Sequence, residues 1–144
     1  MVSFEQDCHR IYELWDEYAK TGNIEGLLNL YSEDALFETP LVPVLMRRSS
    51  GVLQGHSELK QFFIEGTSRR PNELVRWYRN GKYQCKDGTL FWEYPRQTLN
   101  GNQVDIAEVM DISNGRIDHH RIYWGWFGFQ LLLASALKDQ ANRP

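Results

Sequence analysis

The chain is predicted to be a single α+β domain: a cone-shaped barrel in which a curved antiparallel sheet wraps around N-terminal helices. At the front, apolar residues recur at helical spacing, from Phe4 through Cys8, Ile11 and Trp15 to Tyr18. Beyond Pro71 the pattern changes to short strand-like runs cut by glycine turns at Asp87-Gly88, Asn100-Gly101 and Asn114-Gly115. Helices grouped ahead of strands point to α+β, and a sheet folded round helices leaves a pocket between the layers. At 144 residues the chain suits one domain, 1–144, which hides roughly 70% of its unfolded surface. No repeat, low-complexity segment or linker divides it.

Each element has its own signal. Ser3 and Gln6 make a capping box for the first helix, which ends near Gly22. Asn23 caps a second helix carrying Ile24, Leu27, Leu28 and Tyr31. A strand over 35–38 stops at Pro40. Two prolines, Arg47, Arg48 and two serines then make 41–54 a long loop, whose role as a lid the sequence leaves open. Ser57 caps a third helix bearing Leu59, Phe62 and Phe63. Four strands fit between residues 73 and 126 as an antiparallel meander. A helical tail, about 127–140, is apolar enough to dock on the body or on a second subunit.

Composition excludes several partners. A net charge of −3, from 16 basic and 19 acidic residues, gives no attraction to nucleic acid or to an anionic membrane. The longest apolar stretch, 126–137, is too short to span a bilayer and is interrupted by Gln130. The first residues are charged throughout, unlike a secretion signal. Cys8 and Cys85 have no metal-ligand spacing and read as two free thiols in a reducing compartment. The expected protein is soluble and cytoplasmic, with neither cofactor nor metal.

One residue breaks the core pattern. In 104–112, Val104, Ile106, Met110 and Ile112 share a strand face whose fifth member is Glu108. A buried carboxylate must find a partner or take up a proton. With Asn100-Gly101 as a two-residue turn, paired positions sum to 201, placing Glu93 opposite Glu108, Phe91 opposite Met110, and Arg96 beside Asp105. A bulged three-residue turn at Leu99 to Gly101 would instead leave Glu93 outside. The preferred three-residue turn at Ser113-Asn114-Gly115 gives a sum of 228 and sets His120 opposite Glu108, whereas a two-residue turn would put Arg121 beside Glu108 and turn Tyr123 inward. Two carboxylates so close cannot both ionise cheaply, so one keeps a proton as a general acid while His120 serves as base or orienter. Trp15, Tyr31, Phe63, Trp124 and Trp126 supply an apolar wall for a flat or alicyclic ligand. A metal set of His119, His120, Glu108 and Glu93 is disfavoured, because adjacent histidines on a strand point to opposite faces.

The segments GNIEGLLNLYSEDALFETP, GVLQGHSELKQFF and NGRIDHHRIYWGW resemble the nuclear transport factor 2-like superfamily, in its SnoaL-like and ketosteroid isomerase-like branch. The resemblance implies a conical pocket and a homodimer. It also places the family's buried acid at Glu108, a pocket tyrosine at Tyr31, the last-strand tryptophan at Trp124 and a pocket-lining neighbour at His120. The isomerase base falls on Thr39, with Glu38 beside it, and the helix-borne tyrosine on Trp15. The Asp-Arg-Asp set of limonene epoxide hydrolase is missing, its last member falling on Gly125. The implied function is cofactor-independent acid/base chemistry on a small, largely apolar polyketide-, terpenoid- or steroid-like ligand: isomerisation, cyclisation, dehydration or epoxide opening. The competing reading is a noncatalytic small-molecule-binding or dimerisation module of the same fold.

Overall fold

The computed structural model describes residues 1–68, 79–94, 97–98, 101–102, 105–130 and 133–134. Helix α1 spans Phe4–Thr21. Both arms of its capping box are present, Gln6 N–H donating to Ser3 Oγ at 3.1 Å and Ser3 N–H to Gln6 Oε1 at 2.9 Å. Gly22, at φ 69°, ends the helix in the left-handed region. Asn23 caps α2, Ile24–Asn29, by accepting from the Gly26 N–H. Tyr31 is not on that helix. It opens β1, Tyr31–Glu38, and pairs with Ile117.

The expected loop 41–54 is instead largely ordered. Helix α3, Leu41–Met46, and strand β2, Val52–Gln54, occupy it. Pro43 falls in the first helical turn, where a missing N–H costs little, so it does not forbid a helix. Helix α4, Gly55–Ser68, begins before Ser57, which is therefore not its cap. The remaining strands are β3 Gln84–Lys86, β4 Thr89–Glu93, β5 Gln97–Thr98, β6 Gly101–Asn102, β7 Ile106–Ser113 and β8 Arg116–Trp124.

Six strands form one curved, open sheet in the order β2-β1-β8-β7-β4-β3, and β5-β6 form a separate small hairpin. All pairings in the large sheet are antiparallel except β1 with β8. The inner face packs on the helices through Ile11, Tyr12, Trp15, Phe37, Leu53, Leu59, Leu90, Trp92 and Met110, all buried. The α+β cone is thus present as an open sheet rather than a closed barrel.

Cys8 and Cys85 are joined as a disulfide, with Cα atoms 6.5 Å apart, which corrects the expectation of two free thiols. It ties α1 to edge strand β3. Residues 126–130 and 133–134 are helical, and the rest of the expected tail lies outside the described residues. Among the described residues no helix is long and apolar enough to cross a membrane.

Where β8 ends, Asp105 fastens the chain. Its carbonyl accepts from Gly125 N–H and its Oδ1 from Gly128 N–H, both at 2.7 Å. A Cβ at Gly125 would lie 1.9 Å from Asp105 Oδ2. Gly125→Ala is expected to lower stability by about 1–3 kcal/mol, the usual range for overpacking, as measured by urea unfolding.

The outer face carries Asp111 and Arg121, whose guanidinium donates to both carboxylate oxygens at 2.8 and 3.0 Å. That contact holds the Asp111 carboxyl below its ordinary range. A depressed acid stabilises the fold above its unfolded pKa, and the stabilisation is lost as pH falls through the folded value. Asp111 is 44% exposed, so the contribution is at most about 1 kcal/mol. Asp111→Asn should reduce the stability lost between neutral and acidic pH by no more than that amount, measured by denaturant unfolding at both.

Candidate active site

Glu108 sits on the inner face of β7 in a row with Ile106, Met110 and Ile112, every member buried. Val104 lies outside the described residues. Both Glu108 and His120 are 0% exposed. The register between their strands differs from the expected one. The hairpin is a two-residue turn at Asn114-Gly115, with φ 51° and 73°, and its first pairs are Ser113 with Arg116 and Ile112 with Ile117. A bulge then admits Asp118 as an extra residue, after which Asp111 pairs with His119 and Met110 with His120. His120 therefore points inward but lies diagonal to Glu108, whose direct partner is Ile122. Their side chains still meet, with His120 Nε2 3.0 Å from Glu108 Oε1.

On the other side of Glu108 the expected register fails by one residue. Glu93 pairs with Ala107 and Trp92 with Glu108. A one-residue slip exchanges the faces of a strand, so Glu93 is exposed and Phe91 lies opposite Val109. The expected Glu93, Glu108 and His120 cluster loses its first member. Arg96, the expected partner of Asp105, lies outside the described residues. The second group on Glu108 is Tyr94, one residue beyond β4, whose backbone N–H bonds Ile106 O at 2.9 Å. Tyr94 Oη donates to Glu108 Oε2 at 2.6 Å. Sequence reading missed it, although Leu90, Trp92 and Tyr94 alternate as an unbroken apolar face.

A chain of hydrogen bonds continues behind His120. Trp15 Nε1–H donates to Tyr31 Oη at 2.9 Å, and Tyr31 Oη lies 2.7 Å from His120 Nδ1. An indole nitrogen only donates, so Tyr31 accepts from Trp15. A hydrogen on Nδ1 would leave the buried Tyr31 hydroxyl hydrogen without an acceptor, so the arrangement that satisfies every group has Tyr31 O–H donating to Nδ1. His120 Nδ1 is then an acceptor, so Nε2 carries the hydrogen that is donated to Glu108. Glu108 thus accepts at both oxygens.

The phenols are held in donor form. Burial pushes Tyr31 well above its ordinary pKa; the Trp15 bond opposes the shift and the Glu108 charge adds to it. For Tyr94 burial again comes first, followed by the charge and hydrogen bond of Glu108, with Trp92 and Arg79 acting the other way. Aromatic rings close round the imidazole. Phe37 and Trp15 meet it edge-on at 5.0 and 5.7 Å, and Phe63 packs on Tyr31 at 5.7 Å.

The remaining expected residues are dispersed. Trp124 is partly buried and its indole donates to Thr39 Oγ1 at 3.3 Å. Trp126 is 67% exposed and contacts Phe129, so it does not belong to the inner wall. Glu38, beside the missing base, contacts His119 on the other side of the sheet. The adjacent histidines do point to opposite faces. A cavity of about 560 Å³ opens at the strand ends, lined by Tyr94, Ile106, Trp124 and Gly125 among others.

No family signature and no curated protein sequence matches the chain. Solved structures do. A SnoaL-like protein of unknown function from Burkholderia thailandensis superposes with a TM-score of 0.64 at 13% identity, over 83% of this chain and 94% of that one. A nuclear transport factor 2-like protein from Anabaena variabilis gives 0.63 at 19% identity, covering 87% and 94%. SalBIII, an epoxide hydrolase/cyclase-like enzyme with a role in pyran ring formation in the polyether salinomycin, gives 0.61 at 16% identity, covering 86% and 95%. With its helices held in an open curved sheet and its buried acid on the inner face, the chain has the fold of the SnoaL-like and nuclear transport factor 2-like proteins.

Proposed function

We propose that the protein is a cofactor-independent enzyme that moves protons on a small, largely apolar polyketide-, terpenoid- or steroid-like ligand, with Glu108 as the proton acceptor. The observation that carries this reading is the convergence of two donors on a carboxylate that is 0% exposed. Unsolvated carboxylates held by oriented donors gather where proton transfer is done. The sequence left open which group is acid and which is base; the two hydrogen bonds that end on the Glu108 oxygens support Glu108 as the base in the resting state, with Tyr94 and His120 as donors. The likeness to SalBIII is in keeping with ring-forming or epoxide-opening chemistry on such ligands, and a homodimer, which light scattering would test, is part of the same reading.

The test is a panel of cyclic enones, β-hydroxy ketones and epoxides in deuterated water, followed by mass spectrometry. Deuterium uptake or product formation that falls to background in Glu108→Gln supports the assignment; equal rates in both proteins overturn it. A second reading is favoured by one feature: every polar side-chain atom of Glu108, His120 and Tyr31 already has a partner. A noncatalytic binding module would use the same bonds only to close its core, and it predicts no turnover anywhere in the panel.

A further inference from the structure

Tyr31 is the pivot of the hydrogen-bond chain, since its one hydroxyl must accept from Trp15 and give to His120, at 2.9 and 2.7 Å. Such bonds weaken steeply when their angle is lost, so the place of the Tyr31 backbone decides whether His120 Nδ1 keeps its donor. Strand pairing alone does not fix that place. On one side Tyr31 stands opposite Ile117 of β8, but the register breaks before the next pair, Leu36 with His119. Ile117 N–H bonds the carbonyl of Leu30 at 2.8 Å. In a parallel pair a residue bonds the two neighbours of its partner, which turns the carbonyl of Tyr31 itself away from β8. On that other side no strand waits for it, because the pairing of β1 with β2 reaches back only to Leu36, opposite Gln54.

A side chain takes the place of the missing strand. Gly55, at φ 85°, turns the chain from β2 straight into α4, and the next residue, His56, brings Nε2 to 3.0 Å from the Tyr31 carbonyl oxygen. A carbonyl only accepts, so His56 Nε2–H is the donor. Seven residues on, where a helix returns to the same face, Phe63 packs on the Tyr31 ring at 5.7 Å. Helix α4 therefore holds Tyr31 twice, at its backbone and at its ring. We propose that His56 is a positioning residue of the Glu108 site: its bond to the Tyr31 carbonyl sets the hydroxyl that orients His120, and the inference rests on Glu108 acting as the proton acceptor. His56 works through the Tyr31 backbone and passes no proton along the chain, because a carbonyl oxygen has none to give.

Nitrogen NMR of the His120 ring, in the full chain labelled with ¹⁵N at histidine, tests the proposal with two replacements of His56. Glutamine offers an amide N–H in place of Nε2, so His56→Gln should leave the His120 Nδ1 signal as in wild type. Leucine fills the space without a donor, so His56→Leu should move that signal in the direction in which Tyr31→Phe moves it. Should His56→Leu fail to fold, His56→Phe, a ring with no donor, makes the same comparison. In turnover of the substrate panel, His56→Leu should lower kcat about tenfold, the worth of one hydrogen bond, with KM unchanged, and His56→Gln should restore it. A His120 signal that is the same in His56→Leu and wild type would overturn the proposal even if His56→Leu melts lower, because the bond would then serve only to close the fold. An equal shift in His56→Gln and His56→Leu would also overturn it, by showing that the packing of the imidazole matters and its N–H does not. Glu108→Gln in the same panel separates the two claims. If it abolishes turnover while the His120 signal ignores His56, only the present inference fails; if turnover survives it, the base assignment fails, and the NMR comparison still decides the positioning.

Discussion

Glu108→Gln is expected to lower turnover by about 10²–10⁴-fold, the range for loss of a general base, and to leave the fold in place. The side chain keeps its shape, so packing against Trp92 and Ile122 survives. Its hydrogen bonding does not. Two donors, His120 Nε2–H and Tyr94 O–H, now face one amide oxygen and one NH₂ group. One donor remains satisfied and the other meets a second donor, unless His120 changes tautomer. That change would in turn strand the Tyr31 hydrogen, because Trp15 already occupies the Tyr31 oxygen as donor. The stability cost should therefore be about 1–3 kcal/mol, that of one unsatisfied buried group. Circular dichroism and urea unfolding would report the fold, and product formation the base.

The second large effect concerns the pair itself. His120→Leu removes the donor to Glu108 Oε1 and leaves a carboxylate buried with Tyr94 alone, which should cost about 3–5 kcal/mol. It also strands the Tyr31 hydroxyl, whose acceptor is His120 Nδ1. The double variant Glu108→Leu/His120→Leu removes the buried carboxylate together with its donor and should recover much of the loss, as replacement of buried polar pairs by apolar side chains often does. Urea unfolding of the two single variants and the double variant measures the coupling. Simple additivity would mean that the two side chains do not depend on each other.

How these residues came to be visible, or hidden, follows from the strand period. Glu108 was legible because alternation alone assigns its face, whatever the neighbouring strands do. His120 was placed inward from a sum of 228, whereas the structure gives 230 beyond the bulge, since Met110 pairs with His120. A shift of two preserves the face, so the contact survived an incorrect register. Glu93 was placed from a sum of 201 and the structure gives 200, Glu93 pairing with Ala107. A shift of one exchanges the faces, and the whole predicted role went with it.

Tyr94 was available to the same reasoning, because the face of Leu90, Trp92 and Tyr94 contains no charge while the face of Phe91 and Glu93 does. The turn residues Asn100-Gly101 outweighed that pattern. In the structure Thr98 pairs with Gly101, a sum of 199 in place of 201. The first helix and its capping box were legible because both are local. The Cys8–Cys85 pairing was not: 77 residues separate the two, and only the packing of α1 beside β3 brings them together. Helix α3 was hidden by Pro43, whose meaning depends on which turn of a helix it occupies.

The central claim is directional: Trp15 gives to Tyr31, Tyr31 to His120 and His120 to Glu108, leaving the carboxylate to accept. Nitrogen NMR of the His120 ring, in protein labelled with ¹⁵N at histidine, tests it without any substrate. The account predicts a hydrogen on Nε2 and an Nδ1 signal that shifts when Tyr31 is replaced by Phe. A bare Nε2 at neutral pH would contradict it, because Glu108 would then be the donor of the pair and not the base.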